Sequence, residues 1–241
     1  MTNIINHDEP GVEAAGTAIE KGDVEALKAL LEQYPQIARC KIKYDDVETS
    51  LLHCATDWPG HYPNVGESIR MLAGAGADVN VRMVGAHAET PLLYAASSND
   101  VKAIDALVEM GADLEMDGSV TDGGTALDAA VNFGNLDAAR RLVEHGAKTK
   151  LFTISALGMK EEVAVALESN DYSQGSLDYS FWCACASGEI EVLELLLANG
   201  AQINHLASWD TATPLDEAIK NNQEATISWL NEHGAKLASD L

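Results

Sequence analysis

Apolar residues recur at three- and four-residue spacing in short runs along almost the whole chain, as in KGDVEALKALL (21–31) and LDAARRLVEHG (136–146). That spacing puts one apolar stripe on a helix and predicts a series of short amphipathic helices. Each stripe ends in a version of one phrase: GAGADVN (74–80), EMGADLE (109–115), EHGAKTK (144–150), ANGAQIN (198–204) and EHGAKLA (232–238). The glycine in that phrase suits a left-handed helix C-cap. Gly76, Gly111 and Gly146 are spaced by 35 residues, and Gly200 and Gly234 by 34. A fixed period of this size predicts stacked small units rather than one globule around one core.

A second phrase precedes most of these stripes: TPLLYAASSND (90–100), TALDAAVNFGN (125–135), TPLDEAIKNNQ (213–223) and the divergent SLLHCATDW (50–58). Thr or Ser at the head of an apolar run reads as a helix start. The paired alanines leave room for close helix approach. Gly134, with Asn99 and Asn222 at the equivalent positions, marks a tight turn into the second helix. Each unit is therefore predicted as helix, turn, helix, glycine cap and extended loop.

These phrases resemble the ankyrin repeat, whose consensus runs roughly TPLHxAAxxG, a second helix, then GADVN. The likeness covers about residues 16–241. It implies an all-α solenoid of about seven helix-turn-helix repeats with β-hairpin fingers, first helices lining a concave face and second helices forming the convex back. The first unit is AAGTAIEKGDVEALKALLEQYP (14–35), and the others begin near Ser50, Thr90, Thr125, Leu151, Tyr179 and Thr213. LFTISALGMKEEVAVALES (151–169) fills the 54-residue gap between Gly146 and Gly200 as a degenerate unit that lacks the GAD phrase. The finger before it is expected to be missing or very short. Residues 1–13 are expected to be loose, and 14–241 to form a single domain.

Composition narrows the functional classes. The net charge is −23, from 15 basic and 38 acidic residues, which argues against nucleic acid and against anionic membranes. The acidic residues are scattered, which fits solubility; a basic partner would be attracted. The N-terminus lacks the basic start and apolar core of a secretion signal, and no apolar run reaches membrane-spanning length, so a cytoplasmic protein is expected. Cys40, Cys54, Cys183 and Cys185 show no metal-ligand spacing and are expected to be reduced and mostly buried. No cofactor or metal is expected.

In the ankyrin family the two residues before the mid-repeat turn face the groove. Carried onto this chain, the resemblance implies that Asp57, Trp58, Ser97, Ser98, Asn132 and Phe133 face it, with Trp58 and Phe133 flanking the serines as a notch. Exposed aromatics of this kind anchor partners. The segment PGHYPN (59–64) lengthens the second repeat's turn and carries His61 and Tyr62. Two long fingers, VRMVGAHAE (81–89) with His87 and Glu89, and MDGSVTDGG (116–124) with Asp117 and Asp122, are expected to wall the same notch. The expected function is non-enzymatic binding of a protein or peptide on the concave face of repeats two to four. The alternative is a small-molecule or enzyme pocket in that notch, with Asp57, His61, His87 and Glu89 supplying acid, base and orienting groups. No nucleophile, phosphate-loop or metalloprotease motif supports catalysis. A third reading is a structural spacer that self-associates through its acidic face. His53 stands where the family has a structural histidine. Trp182 occupies the equivalent place in the sixth unit and is expected to fill core space.

Overall fold

The computed structural model describes residues 3–121, 123–206 and 211–241. These residues form seven helical hairpins in two compact units, residues 1–148 and 149–241. In the first unit, α1 (Val12–Lys21) pairs with α2 (Val24–Gln33), which is followed by a single turn, α3 (Gln36–Arg39). Then come α4 (Leu51–Thr56) with α5 (Val65–Gly74), α6 (Pro91–Ser97) with α7 (Val101–Glu109), and α8 (Ala126–Asn132) with α9 (Leu136–Glu144). The second unit holds α10 (Leu151–Ala156) with α11 (Lys160–Glu168), α12 (Gln174–Ser187) with α13 (Ile190–Ala198), and α14 (Pro214–Lys220) with α15 (Glu224–Glu232). First helices pack on first helices and second on second within each unit: α4 on α6, α6 on α8, α5 on α7, and α10 on α12. The stacked helical hairpins expected from the repeats are observed within each unit.

The helix starts follow from short polar side chains. Ser50, Thr90, Thr125 and Thr213 each accept a bond from the backbone N–H three residues on. The mid-repeat turns use a left-handed residue at Gly22, Asn99, Gly134, Gly158, Gly188 and Asn222. At Gly22 this freedom is needed twice over, because a Cβ there would also collide with the Pro63 carbonyl. One start departs from expectation. The sixth hairpin begins at Gln174, not near Tyr179, because Ser173 caps the helix and Gln174 Nε2 donates to Asp178 Oδ1.

Strand pairing among the described residues is confined to one end of the first unit. β2 (Lys41–Tyr44) and β3 (Val47–Thr49) form a hairpin finger after the first repeat, with Asp45 left-handed at its turn. β1 (Ile4–Asn6), inside the segment expected to be loose, runs parallel to β2. The fingers at 81–89 and 116–124 close through loop hydrogen bonds (Met83 N–H to the Glu89 carbonyl, Gly118 N–H to the Gly123 carbonyl) and, among the described residues, form no strand pairs of their own. Their glycines and polar residues lack the β-branched content of KIKY and VET. A single bridge, Glu48 to Val84, joins the first two fingers. Between Glu144 and Leu151 the chain has only a short connection, as the closeness of Ala147 to the start of the fifth unit at Leu151 predicts.

Polar side chains tie each repeat to the next inside a unit. Asn64 Nδ2 donates to the Gly22 carbonyl, Asn135 Nδ2 to the carbonyls of Ala96 and Ser97, and Gln223 Nε2 to the Ala186 carbonyl. Near the loops, Asn80 receives the Asp113 N–H and donates to the Gly111 carbonyl, and Asn204 does the same with Lys236 and Gly234. The core is aliphatic in the first unit, with Leu27, Ile69, Leu93, Ile104, Leu127 and Leu142 fully buried. In the second it centres on Phe181. All four cysteines are free, and all but Cys54 are buried. Among the described residues no helix is long and apolar enough to cross a membrane.

Candidate functional site

The first unit contains a cleft of about 400 Å³. Of the residues expected to form the notch, Asp57, Trp58, Glu89, Ser97, Ser98 and Phe133 line it. Tyr94, Val120 and Asn135 complete the lining and were not foreseen. Trp58 is 79% exposed and Phe133 47%, so both rings stand on the surface instead of folding back into the core. His61, Tyr62, His87 and Asn132 are not part of the lining. Asp57 and Glu89 reach the cleft without either histidine, so the structure does not gather the four groups of the catalytic alternative there. Asp122 lies outside the described residues. A second hollow of about 430 Å³, beside Lys150 and Val165 in the second unit, involves none of the expected residues.

The insert at 59–64 acts through its backbone. Gly60, His61 and Asn64 are left-handed, and the Gly60 N–H bonds back to the Asp57 carbonyl. The His61 N–H donates to Asp100 Oδ2 at 2.6 Å, while Asp100 Oδ1 caps α7 by accepting from the Ala103 N–H at 3.1 Å. Asp100 is 1% exposed and thus fastens the insert to the next repeat. The His61 imidazole is exposed. Tyr62 is half-buried, and its hydroxyl pKa is raised by burial and then by Glu20, Asp57 and Cys54.

The opposite wall comes from the fingers. Arg82 links them, donating to the carbonyls of Ala88 and Asp117 and pairing with Asp117 Oδ1 at 2.8 Å. Glu89, 5% exposed, accepts the Val120 N–H at 3.3 Å. Burial raises its carboxyl pKa against the lowering influence of that bond and of His87. Tyr94 Oη donates to Met83 Sδ at 3.1 Å, and burial, followed by the nearby Asp57 and Glu89, pushes its pKa up to about 12. Ser98 Oγ donates to the Thr56 carbonyl. Ser97 Oγ is buried and has no hydrogen-bond partner among the described residues.

His53 has the structural role expected of it. Its Nε2–H donates to the Glu89 carbonyl at 3.1 Å, Nδ1 accepts from Ser50 Oγ at 2.8 Å, and its ring meets Tyr94 edge-on. Burial lowers its pKa to about 4. The unfolded chain, with a histidine near 6.5, binds a proton that the folded chain refuses. The stability gained by keeping His53 neutral is therefore complete above pH 6.5 and is lost as pH falls toward 4. Wild-type protein is expected to lose on the order of 2–3 kcal/mol over this window beyond any loss in His53→Gln. Urea unfolding at pH 7 and 4.5 measures the difference, and equal losses would remove His53 as its source.

In the second unit Trp182 is half-buried and stacks on Tyr179, which in turn meets Phe152. It belongs to an aromatic row beside the core and not to the fully buried set around Phe181.

Comparison with known proteins agrees with this architecture. A family model for ankyrin repeats in three copies matches residues 66–153, and one for many copies matches 181–230. A curated L-asparaginase from Dirofilaria immitis is 32% identical over 161 residues, an alignment covering 60% of this chain and 26% of that protein. The chain thus spans about a quarter of that relative's length. Among solved structures, the human ASB11 ankyrin repeat domain superposes with a TM-score of 0.54 at 22% identity, covering 90% of this chain and 96% of that one. The ankyrin repeat domain of Bcl-3, a member of the IkappaB protein family, gives 0.53 at 21% identity, covering 90% and 97%. At such identities the likeness concerns the fold. Helix pairs, threonine caps, left-handed turns and family models all agree, and the chain belongs to the ankyrin-repeat family.

Proposed function

We propose that this ankyrin-repeat protein is a non-enzymatic interaction scaffold that docks a segment of a partner protein in the cleft of the first unit. The observation that carries the reading is the pair of rings on the rim. Trp58 and Phe133 leave large apolar surfaces in water on either side of a recess lined by Ser97 and Ser98. Such surfaces gain most when a partner covers them, because an aromatic ring buries much area with few rotors to freeze. The cleft is held by a network that spans three successive repeats and both fingers, so little ordering remains to be done on binding. Catalysis by Asp57, His61, His87 and Glu89 lacks the convergence it requires, and the partial match to L-asparaginase carries no proposal of hydrolysis.

Trp58→Ala is expected to weaken binding of the partner by about 1–4 kcal/mol, the range of aromatic hot spots. Proteins captured from host lysate by wild type and by Trp58→Ala identify the partner, and titration calorimetry then gives the two affinities. An affinity unchanged by the substitution would move the docking site elsewhere.

A further inference from the structure

The cleft holds two carboxyl groups, those of Asp57 and Glu89, and no Lys, Arg or His stands beside them in the lining among the described residues. Neither carboxylate forms an ion pair within the described residues; His87 acts on Glu89 only through its field. Glu89 is the unusual member. A carboxylate this buried is normally neutralised by a partner or by several hydrogen bonds, and here the structure gives it one, from the Val120 N–H. Ser97 Oγ is a buried polar atom of the lining with no hydrogen-bond partner among the described residues. Beside these acceptors stand the exposed faces of Trp58 and Phe133.

Resting on the docking reading above, we infer that the cleft receives the guanidinium of an arginine side chain carried by the partner protein. A guanidinium offers donors along its edge to carboxylate and hydroxyl oxygens while its flat face lies on an aromatic ring. A lysine ammonium is a compact, strongly hydrated point charge that serves the aromatic rim less well. The volume of about 400 Å³ lies at the small end of ligand sites, as suits one long side chain and not a folded surface. The protein's net charge of −23 draws a basic segment toward it from a distance.

The test uses three blocked amino acids as probes, N-acetyl amides of arginine, lysine and citrulline, followed by NMR titration of the full chain. Citrulline keeps the shape of arginine and removes its charge. The arginine probe is expected to shift the Trp58 indole N–H and the Ser98 amide saturably, the lysine probe to bind several-fold more weakly, and the citrulline probe to leave both signals in place. Glu89→Gln and Asp57→Asn are each expected to weaken the arginine probe about tenfold, the effect of removing one charge-assisted contact. Thermal melting shows that each variant is folded, and the exposed Asp57 provides the variant least able to disturb packing. Citrulline binding as well as arginine, lysine matching arginine, shifts spread evenly over the acidic surface, or full affinity in both variants would each overturn the assignment. The docking reading fails separately, when an identified partner binds Trp58→Ala as tightly as wild type.

Discussion

Phe181→Ala is expected to destabilise residues 149–241 by about 3–5 kcal/mol, the range for deleting a fully buried ring. Phe181 is completely enclosed, packs against Trp229, and sits among Ile154, Leu177, Leu196 and Leu215, which come from three successive hairpins. The residues that follow on the same helix face, Ala184 and Cys185, are small and buried, so they cannot fill the void left by the ring. Stacked arrays are stabilised by nearest-neighbour interfaces, which makes the loss local. Hydrogen exchange is expected to show amide protection falling across 149–241 and holding across 12–146. Uniform loss along the chain would mean that the two compact units are not separate in energy.

Asp100→Ala is the second large effect, about 2.5–5 kcal/mol, and it bears on the cleft. One carboxylate both caps α7 and holds the His61 N–H. Loss of the cap contributes about 1–2 kcal/mol. Loss of the charged bond, with an N–H left unpaired beside a buried position, contributes about 1.5–3 kcal/mol. Asp100→Asn separates the two. An amide has one acceptor and one donor end, so whichever way it turns, one of the two N–H groups faces another donor. The asparagine variant is expected to show about half of the alanine effect in urea unfolding, and in both variants Trp58, three residues before His61, loses its fixed position. An asparagine variant as stable as wild type would show that the insert is held by other means.

Much of this architecture was legible because it is periodic. The glycine spacing gives the repeat length, and the resemblance to the ankyrin family implies the groove-facing positions, which brings Trp58, Phe133 and the two serines together in the sequence. What the period does not encode was missed. Asp100, Asn135 and Arg82 act across 35–39 residues of sequence through bonds whose partners carry no local mark; Asp100 in particular looks like an ordinary helix cap. Tyr94 and Val120 enter the cleft only because neighbouring repeats stack. His61 and His87 were grouped with the cleft by their nearness to it along the chain, but a loop side chain has no period to set its direction. The repeat template places the sixth unit near Tyr179, whereas the Ser173 cap starts α12 at Gln174.

The side-chain amide bonds between repeats set a rule for how the chain can change in length. Asn64 reaches back 42 residues, Asn135 back 38 and 39, and Gln223 back 37, each landing on the turn of the preceding repeat. Such bonds count in whole repeats. Duplicating one complete hairpin within a unit leaves every hook facing a turn of the same shape, whereas a single residue added inside a helix rotates its hook and its apolar stripe together and defeats both. Length in this protein is therefore quantised, and the loops that lie outside the hooks are where sequence can drift residue by residue.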